Sequence, residues 1–122
     1  MNVVAIIQAR TGSSRLPNKI FLKLSGYYLL SHVVERLKLS NEINKIVIAT
    51  TTNKKDNSVE KWCKENKIEF YRGSEENVLK RYYNAAKKFK AKIIIRITAD
   101  DPFKDYRIID KAINILIENK YD

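Results

Sequence analysis

The chain has 122 residues, enough for one domain with a hydrophobic core and too few for separate cofactor and substrate domains. Its net charge of +10 attracts nucleotides, nucleic acids and other anions without selecting among them. A single cysteine, Cys63, excludes an internal disulfide, and no cluster of Cys and His has the spacing of a zinc site. We therefore expect one domain over residues 1–122, in a reducing compartment.

The apolar runs exclude a membrane protein. None is long enough to span a bilayer, and residues 1–9 lack the basic segment that begins a signal peptide. We therefore expect a cytoplasmic protein without a membrane partner.

The first predicted element is a strand over residues 3–7, an uninterrupted β-branched run that is typical of a parallel strand buried on both faces. It leads into a polar loop over residues 8–23 with small residues at 12–14. Basic side chains surround these small residues, namely Arg10, Arg15 and Lys19.

This loop is a candidate polyphosphate site. Ligands of open α/β sheets bind beyond the carboxyl ends of the strands, and backbone N–H groups, Arg and Lys suit phosphate oxygens. Neither GxxxxGK[ST] nor GxGxxG is present, so a solvated Gly-Ser turn with basic neighbours remains the alternative.

Strands and amphipathic helices then alternate to the end of the chain. Further strands are predicted over residues 46–49, 68–71 and 93–97, the last being the most hydrophobic. The helices show apolar positions at helical spacing over residues 29–37, 59–63, 78–89 and 108–117, with Leu79 and Ile108 among them. The order βαβαβαβα predicts a parallel sheet with right-handed crossovers.

Two side chains with reactive potential receive structural interpretations. His32 is the only histidine and has no second ligand or nucleophile near it, so we assign it a structural role. Cys63 follows Trp62 on the predicted inner face of its helix, which favours core packing over a reactive thiol.

Four polar segments are expected to meet at the carboxyl edge of the sheet: the first loop, Thr50, the turn at Gly73 and the acidic pair that begins at Asp100. A lone carboxylate opposite a phosphate loop suits Mg²⁺, although a capping or turn Asp before Pro102 is the alternative. Residues 50–53 are either a ligand edge or, as we favour, a lead-in to a helix capped by residue 56, 57 or 58.

The residues in these segments resemble one family. The runs IIQARTGSSRLPNK, IVIATT, YRGSEENVLKRYY and RITADDPFKD, in this order, are similar to cytidylyltransferases of the spore-coat polysaccharide biosynthesis protein F type, relatives of the CMP-sialic acid and CMP-Kdo synthetases. The resemblance implies a Rossmann-like three-layer α/β/α sandwich with a mainly parallel sheet, of the nucleotide-diphospho-sugar transferase type. It also implies transfer of CMP from CTP to a sugar acid or sugar phosphate.

The resemblance further implies a set of site residues. Arg10, Lys19 and Asp100 would be catalytic, and Asp100 would bind Mg²⁺. The nucleotide-binding positions would be Ala9, Arg10, Gly12, Ser13, Arg15, Lys19, Ala49, Thr50, Gly73 and Ser74. The chain departs from the family pattern at Asn18, where Gly is usual, at Tyr27 and Tyr28, where Lys-Pro is common, and at Asp101, where Cys is frequent.

Family members continue beyond the segment that corresponds to this chain, so the sequence predicts the N-terminal part of such an enzyme. A nucleotide-binding module that needs a partner or a C-terminal half is therefore the alternative to a complete enzyme. An uncovered side of the sheet would favour a homo-oligomer. A nucleic-acid partner is not expected, because no motif interleaves aromatic and basic residues.

Overall fold

The fold is a four-stranded parallel sheet with helices on both faces, seen in a computed structural model that describes residues 2–12, 18–99 and 106–119. The strands are β1 (Val3–Gln8), β4 (Lys45–Thr51), β5 (Glu69–Gly73) and β6 (Ile93–Thr98), in the order β5-β4-β1-β6. The helices are α1 (Leu29–Lys38), α2 (Asn57–Glu65), α3 (Val78–Lys88) and α4 (Tyr106–Asn119). This confirms the predicted α/β class and the parallel sheet.

The register brings the carboxyl ends of the strands to the same edge of the sheet. Gln8 at the end of β1 lies opposite Ala49 of β4 and Thr98 of β6, and Thr51 of β4 lies opposite Gly73 of β5. The segments that follow these strands therefore begin at one edge of the sheet, as the sequence predicted.

Two apolar clusters bury the central strands. One face of the sheet packs against α1, α2 and α4 through side chains that include Leu30, Trp62 and Ile113. The other face packs against α3, through Tyr82 and Ala85 among others. This arrangement confirms the predicted three layers, with β1 buried on both faces as expected.

Three positions differ from the amphipathic pattern. Leu79 recurs at helical spacing but is 71% exposed, whereas Arg81 on the same helix is buried. Ile108, expected on the inner face of α4, is 69% exposed. β6 is only partly buried: Ile94 faces the α3 side of the sheet and is 44% exposed.

A small hairpin, which the sequence did not predict, follows the short 3-10 helix Lys19–Phe21. Its strands are β2 (Lys23–Leu24) and β3 (Tyr27–Tyr28). With two residues each, they are too short to show the alternation of polar and apolar residues that predicts a strand. Its turn contains Gly26 at φ 85°, a left-handed conformation that glycine adopts without strain. His32 of α1 lies with Nε2 2.6 Å from the carbonyl oxygen of Leu24, in line with a structural role.

No helix of the described residues has both the length and the apolar character needed to cross a membrane.

Candidate nucleotide-binding site

A buried carboxylate joins two of the loops at the carboxyl edge. Asp56 is 2% exposed, and its Oδ1 accepts hydrogen bonds from the backbone N–H of Thr11 (2.8 Å) and from the Thr11 hydroxyl (3.0 Å). Its Oδ2 accepts a hydrogen bond from the Thr51 hydroxyl. Asp56 therefore fixes the start of the loop after β1 to the end of β4.

This arrangement corrects one alternative from the sequence. Asp56 precedes α2, but its side chain does not cap that helix. The capping role falls one turn earlier, to Asn53, whose side chain accepts a hydrogen bond from the backbone N–H of Lys55 (2.9 Å). Both oxygens of Asp56 are used instead by the threonines, because the carboxylate faces the neighbouring loop.

Arg72 at the end of β5 fastens the third segment to the same edge. Its Nε donates to the carbonyl of Thr51 (2.7 Å) and its Nη2 to the carbonyl of Asn53 (2.8 Å). Its Nη1 donates to the side-chain oxygen of Asn57 (2.8 Å). A planar guanidinium with several fixed donors suits this multiple bracing, which a lysine would not reproduce.

A cavity of about 130 Å³ lies where these loops converge. It is lined by residues from the segments after β1, β4 and β5: Arg10, Gly12, Asn53, Lys55, Asp56 and Glu75. The wall thus carries two exposed cations, one exposed carboxylate and one carboxylate that is already hydrogen-bonded. Such a mixed lining suits an anionic ligand that also presents hydrogen-bonding groups.

The structure closes the predicted phosphate loop at its base. The backbone N–H of Asn18 donates to the carbonyl of Thr11 (2.9 Å), so Arg10 and Lys19 flank a closed loop. Asn18 has φ 62°, a left-handed conformation that Asn adopts more readily than most residues, which explains how it stands where Gly is usual. Ser13, Arg15 and Asp100 lie outside the described residues, as does Asp101.

Gly12 is exposed, and an added Cβ would meet no atom within 4 Å. Packing among the described residues therefore does not require glycine at this position, whereas close approach of a ligand to the backbone would.

The remaining predicted nucleotide-binding positions lie at or just beyond the ends of β1, β4 and β5. The side chains of Ala9 and Ala49 are buried, and the Ala9 N–H donates to the Ala49 carbonyl (3.0 Å). Thr50 is also buried, and its hydroxyl has no hydrogen-bond partner within residues 2–12, 18–99 and 106–119. The carbonyl of Gly73 accepts a hydrogen bond from the backbone N–H of Thr52 (3.1 Å). Ser74 follows, and its hydroxyl accepts from the N–H of Asn77 (3.0 Å).

Arg81 is a buried cation beneath this edge. It lies in the first half of α3, is 1% exposed, and donates from Nη1 to the carbonyl of Ser74 (2.6 Å). Burial is the main effect that lowers its pKa, and the positive charge of Arg10 lowers the pKa further. Tyr82, Asp56 and Glu75 act in the opposite direction.

Sequence reasoning missed four residues of this edge: Thr11, Asp56 in its bonding role, Arg72 and Arg81. A signal existed for Arg81, which follows Val78 by three residues and precedes Ala85 by four, and so lies on the apolar face of α3. No local pattern pairs Thr11 with Asp56, because the contact spans 45 residues.

Among the side chains that the structure describes, no group of three or more His, Cys, Asp and Glu residues is placed to hold a metal ion.

A family model described as cytidylyltransferase matches residues 4–122. The chain is 35% identical over 125 residues to the spore coat polysaccharide biosynthesis protein SpsF of Bacillus subtilis, covering 99% of this chain and 50% of that protein. It is 30% identical over 119 residues to the 3-deoxy-manno-octulosonate cytidylyltransferase of Geobacter sulfurreducens, covering 98% and 47%.

A solved structure of a cytidylyltransferase from Leptospira borgpetersenii superposes with a TM-score of 0.91 at 38% identity, covering 98% of this chain and 50% of that one. The chain therefore spans about half the length of these relatives.

Proposed function

The chain belongs to the cytidylyltransferase family, and on this premise we propose that it binds CTP and transfers CMP to a sugar acid or sugar phosphate during surface polysaccharide or glycan synthesis. The observation that carries the proposal is the convergence of the loops after β1, β4 and β5 on one cavity, held by the bonds of Asp56 and Arg72. The proposed compartment is the cytoplasm, where CTP is available.

In the proposed reaction an oxygen of the acceptor attacks the α-phosphorus of CTP. The new P–O bond forms as the bond to the β-phosphate oxygen breaks, and pyrophosphate leaves with the electron pair. Where the attacking oxygen is a hydroxyl of a sugar acid, its proton passes to solvent; an ionised oxygen of a sugar phosphate has no proton to lose. Such chemistry depends on in-line positioning and on neutralising charge, which fixed cations provide. Arg10 and Lys19 take this catalytic role in the proposal.

The triphosphate lies against the loop after β1 in this proposal, with Gly12 and Ser13 offering backbone N–H groups and Arg15 a further cation. The nucleoside lies at the ends of β4 and β5, where Ala49, Thr50, Gly73 and Ser74 line its place, and Ala9 adds a nucleotide-binding position at the end of β1. The open surroundings of Gly12 and the unbonded hydroxyl of Thr50 support this division.

Magnesium is part of the proposal, with Asp100 as its ligand. When bound, the ion would neutralise phosphate charge, since Mg²⁺ takes one or two carboxylates together with phosphate oxygens and waters. The described wall offers Glu75 as an exposed carboxylate, while Asp56 is occupied by its threonine partners, so the fit depends on Asp100.

Titration calorimetry with CTP, ATP and GTP, in the presence and absence of Mg²⁺, tests the binding step. We expect Mg²⁺-dependent binding that favours CTP. Equal affinity for all three nucleotides would contradict the choice of cytidine.

Matched variants locate the site in the same assay. Lys19→Ala should weaken CTP binding by about tenfold or more, since a charge-assisted contact is lost. Lys87→Ala removes the same charge from an exposed position near the far end of α3 and should have little effect. Asp100→Asn should reduce the dependence on Mg²⁺, and Asp101→Asn should do so less.

A nucleotide-binding module without turnover is the second candidate, favoured by the chain spanning about half the length of its relatives. Pyrophosphate release from CTP, measured with a panel of sugar acids and sugar phosphates, separates the two. We expect this chain alone to bind CTP and to turn over slowly. A rate of about 1 per second or more would identify it as a complete enzyme.

A further inference from the structure

Two hydrogen-bond donors of Arg81 are buried without an acceptor. Its Nη1 donates to the Ser74 carbonyl, but Nε and Nη2 are both buried and have no hydrogen-bond partner among the described residues. Buried polar groups are nearly always bonded, so such a pair indicates an absent acceptor. Nε and Nη2 form the side edge of the guanidinium, which presents two parallel N–H groups.

Arg81 lies behind the wall of the cavity at the carboxyl edge, because its Nη1 donates to the carbonyl of Ser74, the residue before the cavity-lining Glu75. Three of the six residues that line the cavity, Arg10, Asp56 and Glu75, lie close enough to Arg81 to shift its pKa. α3 begins at this edge, and Arg81 lies in its first turn. Its unbonded donors therefore lie behind residues that line the proposed ligand site.

The guanidinium is held in place by the turn after β5. A Cβ added to Gly73 would lie 3.2 Å from Cγ of Arg81, so the arginine stem packs directly against the backbone there. The bond from Nη1 to Ser74 fixes the far end of the same side chain. A donor pair fixed in this way can discriminate between ligands that differ in one acceptor.

The missing partner is better explained as a nucleobase than as a phosphate. Asp56 and Glu75 act on the Arg81 pKa in the direction opposite to the Arg10 cation, whereas no described residue accepts a hydrogen bond from Nε or Nη2. The side chain therefore lacks acceptors more than it lacks a counter-ion. A phosphate is strongly solvated and would meet the exposed cations Arg10 and Lys55 first. A base is uncharged and planar, and can be enclosed beside a buried side chain.

We propose that Arg81 is a specificity-determining residue that donates from Nε and Nη2 to O2 and N3 of the cytosine base. This inference rests on the proposed function. Cytosine presents O2 and N3 as adjacent acceptors, whereas N3 of uracil carries a hydrogen and would oppose an arginine donor. Guanine presents its own acceptor pair, O6 and N7, so the arginine edge separates CTP from UTP rather than from GTP.

The proposal requires side chains on the cavity wall to move aside for the base, because Nε and Nη2 are buried. Arg10 and Glu75 are exposed, so their movement disrupts no element of the core.

The test compares CTP, UTP and 3-deazacytidine triphosphate, which has a C–H in place of the N3 acceptor, by calorimetry with Mg²⁺. For the unmodified chain we expect CTP to bind about tenfold or more tightly than either other nucleotide, the range of one bidentate contact. Arg81→Lys keeps the charge but loses the paired donors, so its three affinities should become similar. Lys80→Arg, an exchange at the exposed neighbouring position, should keep the preference.

Each result bears on one proposal. If Arg81→Lys weakens all three nucleotides by the same factor, Arg81 has a structural or phosphate-binding role and the base-reading inference is overturned. Equal binding of CTP and 3-deazacytidine triphosphate by the unmodified chain overturns it as well, even if Arg81→Lys does not fold. If the unmodified chain binds CTP, the proposed function stands even when the base-reading inference is overturned. If the unmodified chain binds no CTP, the proposed function itself fails.

Discussion

The backbone N–H of Thr11 donates a hydrogen bond to Oδ1 of Asp56 over 2.8 Å, joining residues that are 45 positions apart. The contact holds the first residues of the loop after β1 against the helix start that follows β4. Because it is buried and charge-assisted, it contributes both to stability and to the geometry of the cavity.

Asp56→Asn should destabilise the fold by about 1.5–3 kcal/mol, the range for hydrogen bonds to a charged group. The amide keeps the shape of the side chain but replaces one acceptor with a donor that faces the Thr51 hydroxyl. Urea unfolding measures the change. Glu65→Gln is the control. In the part of the chain that the structure describes, Glu65 pairs with the exposed Lys61 at 3.9 Å, so this substitution should change stability by less than about 1 kcal/mol. If Asp56→Asn lost no more stability than is expected of Glu65→Gln, the buried carboxylate would be dispensable for folding.

Gly12→Ala should fold as stably as the unmodified chain, to within about 0.5 kcal/mol, because the added methyl meets no described atom within 4 Å. It should nevertheless weaken CTP binding by about tenfold, equivalent to about 1.4 kcal/mol, if the backbone approaches the phosphates. Calorimetry and urea unfolding on one preparation give both values.

Gly73→Ala is the comparison for Gly12→Ala, because at Gly73 the added methyl does meet other atoms. Its Cβ would lie 2.7 Å from the Tyr71 ring, so overpacking should cost about 1–3 kcal/mol of stability. Unchanged CTP affinity in Gly12→Ala would remove the loop backbone from the binding site.

The Cys63 thiol should be inert in the native protein at pH 8. Burial, with a smaller effect from the Glu60 carboxylate, raises its pKa to about 12, so the reactive thiolate is scarce and enclosed. Ellman's reagent should report one thiol only after unfolding, and native labelling should accelerate as the pH rises towards about 12. Rapid labelling at pH 8 would mean that α2 opens readily.

The uncovered part of the sheet predicts self-association through β6. This strand pairs with β1 on one side, has no neighbouring strand on the other side among the described residues, and carries the partly exposed Ile94. Ile94→Glu should shift sedimentation towards the monomer, since a charge on an edge strand opposes pairing. Leu79→Glu is the control, because it alters an exposed apolar residue on α3. A monomer at high concentration before any substitution would contradict the prediction.

Periodicity and length predicted the order of the main strands and helices, because each helix shows an apolar face at helical spacing and each main strand a short apolar run. The same reasoning predicted that Ile108 is buried, because helical spacing does not show how wide a face of α4 the sheet can cover. It also treated β6 as buried, because an apolar run of β-branched residues reads the same at the edge of a sheet as at its centre.

The candidate site was predictable only in part. The positions of Arg10, Lys19 and Gly73 at one sheet edge follow from parallel topology, which a sequence pattern can indicate. The Asp56 and Arg72 contacts could not be derived, because they depend on how the segments after two different strands approach each other. Arg81 was accessible to helical spacing, but a basic residue on an apolar face is usually assumed to be solvated.

The sheet order also has a consequence for synthesis on the ribosome. β1, the most buried strand, is translated before the other strands of the sheet, yet one of its two neighbours is β6, which ends at Thr98. At about 5–20 residues per second, roughly 5–20 s pass before that partner has been made. Throughout this interval one apolar edge of β1 lacks its native partner, so the nascent chain is a client for chaperones that shield unpaired strands. A translational pause between β5 and β6 should lower the yield of folded protein more than an equal pause after α4.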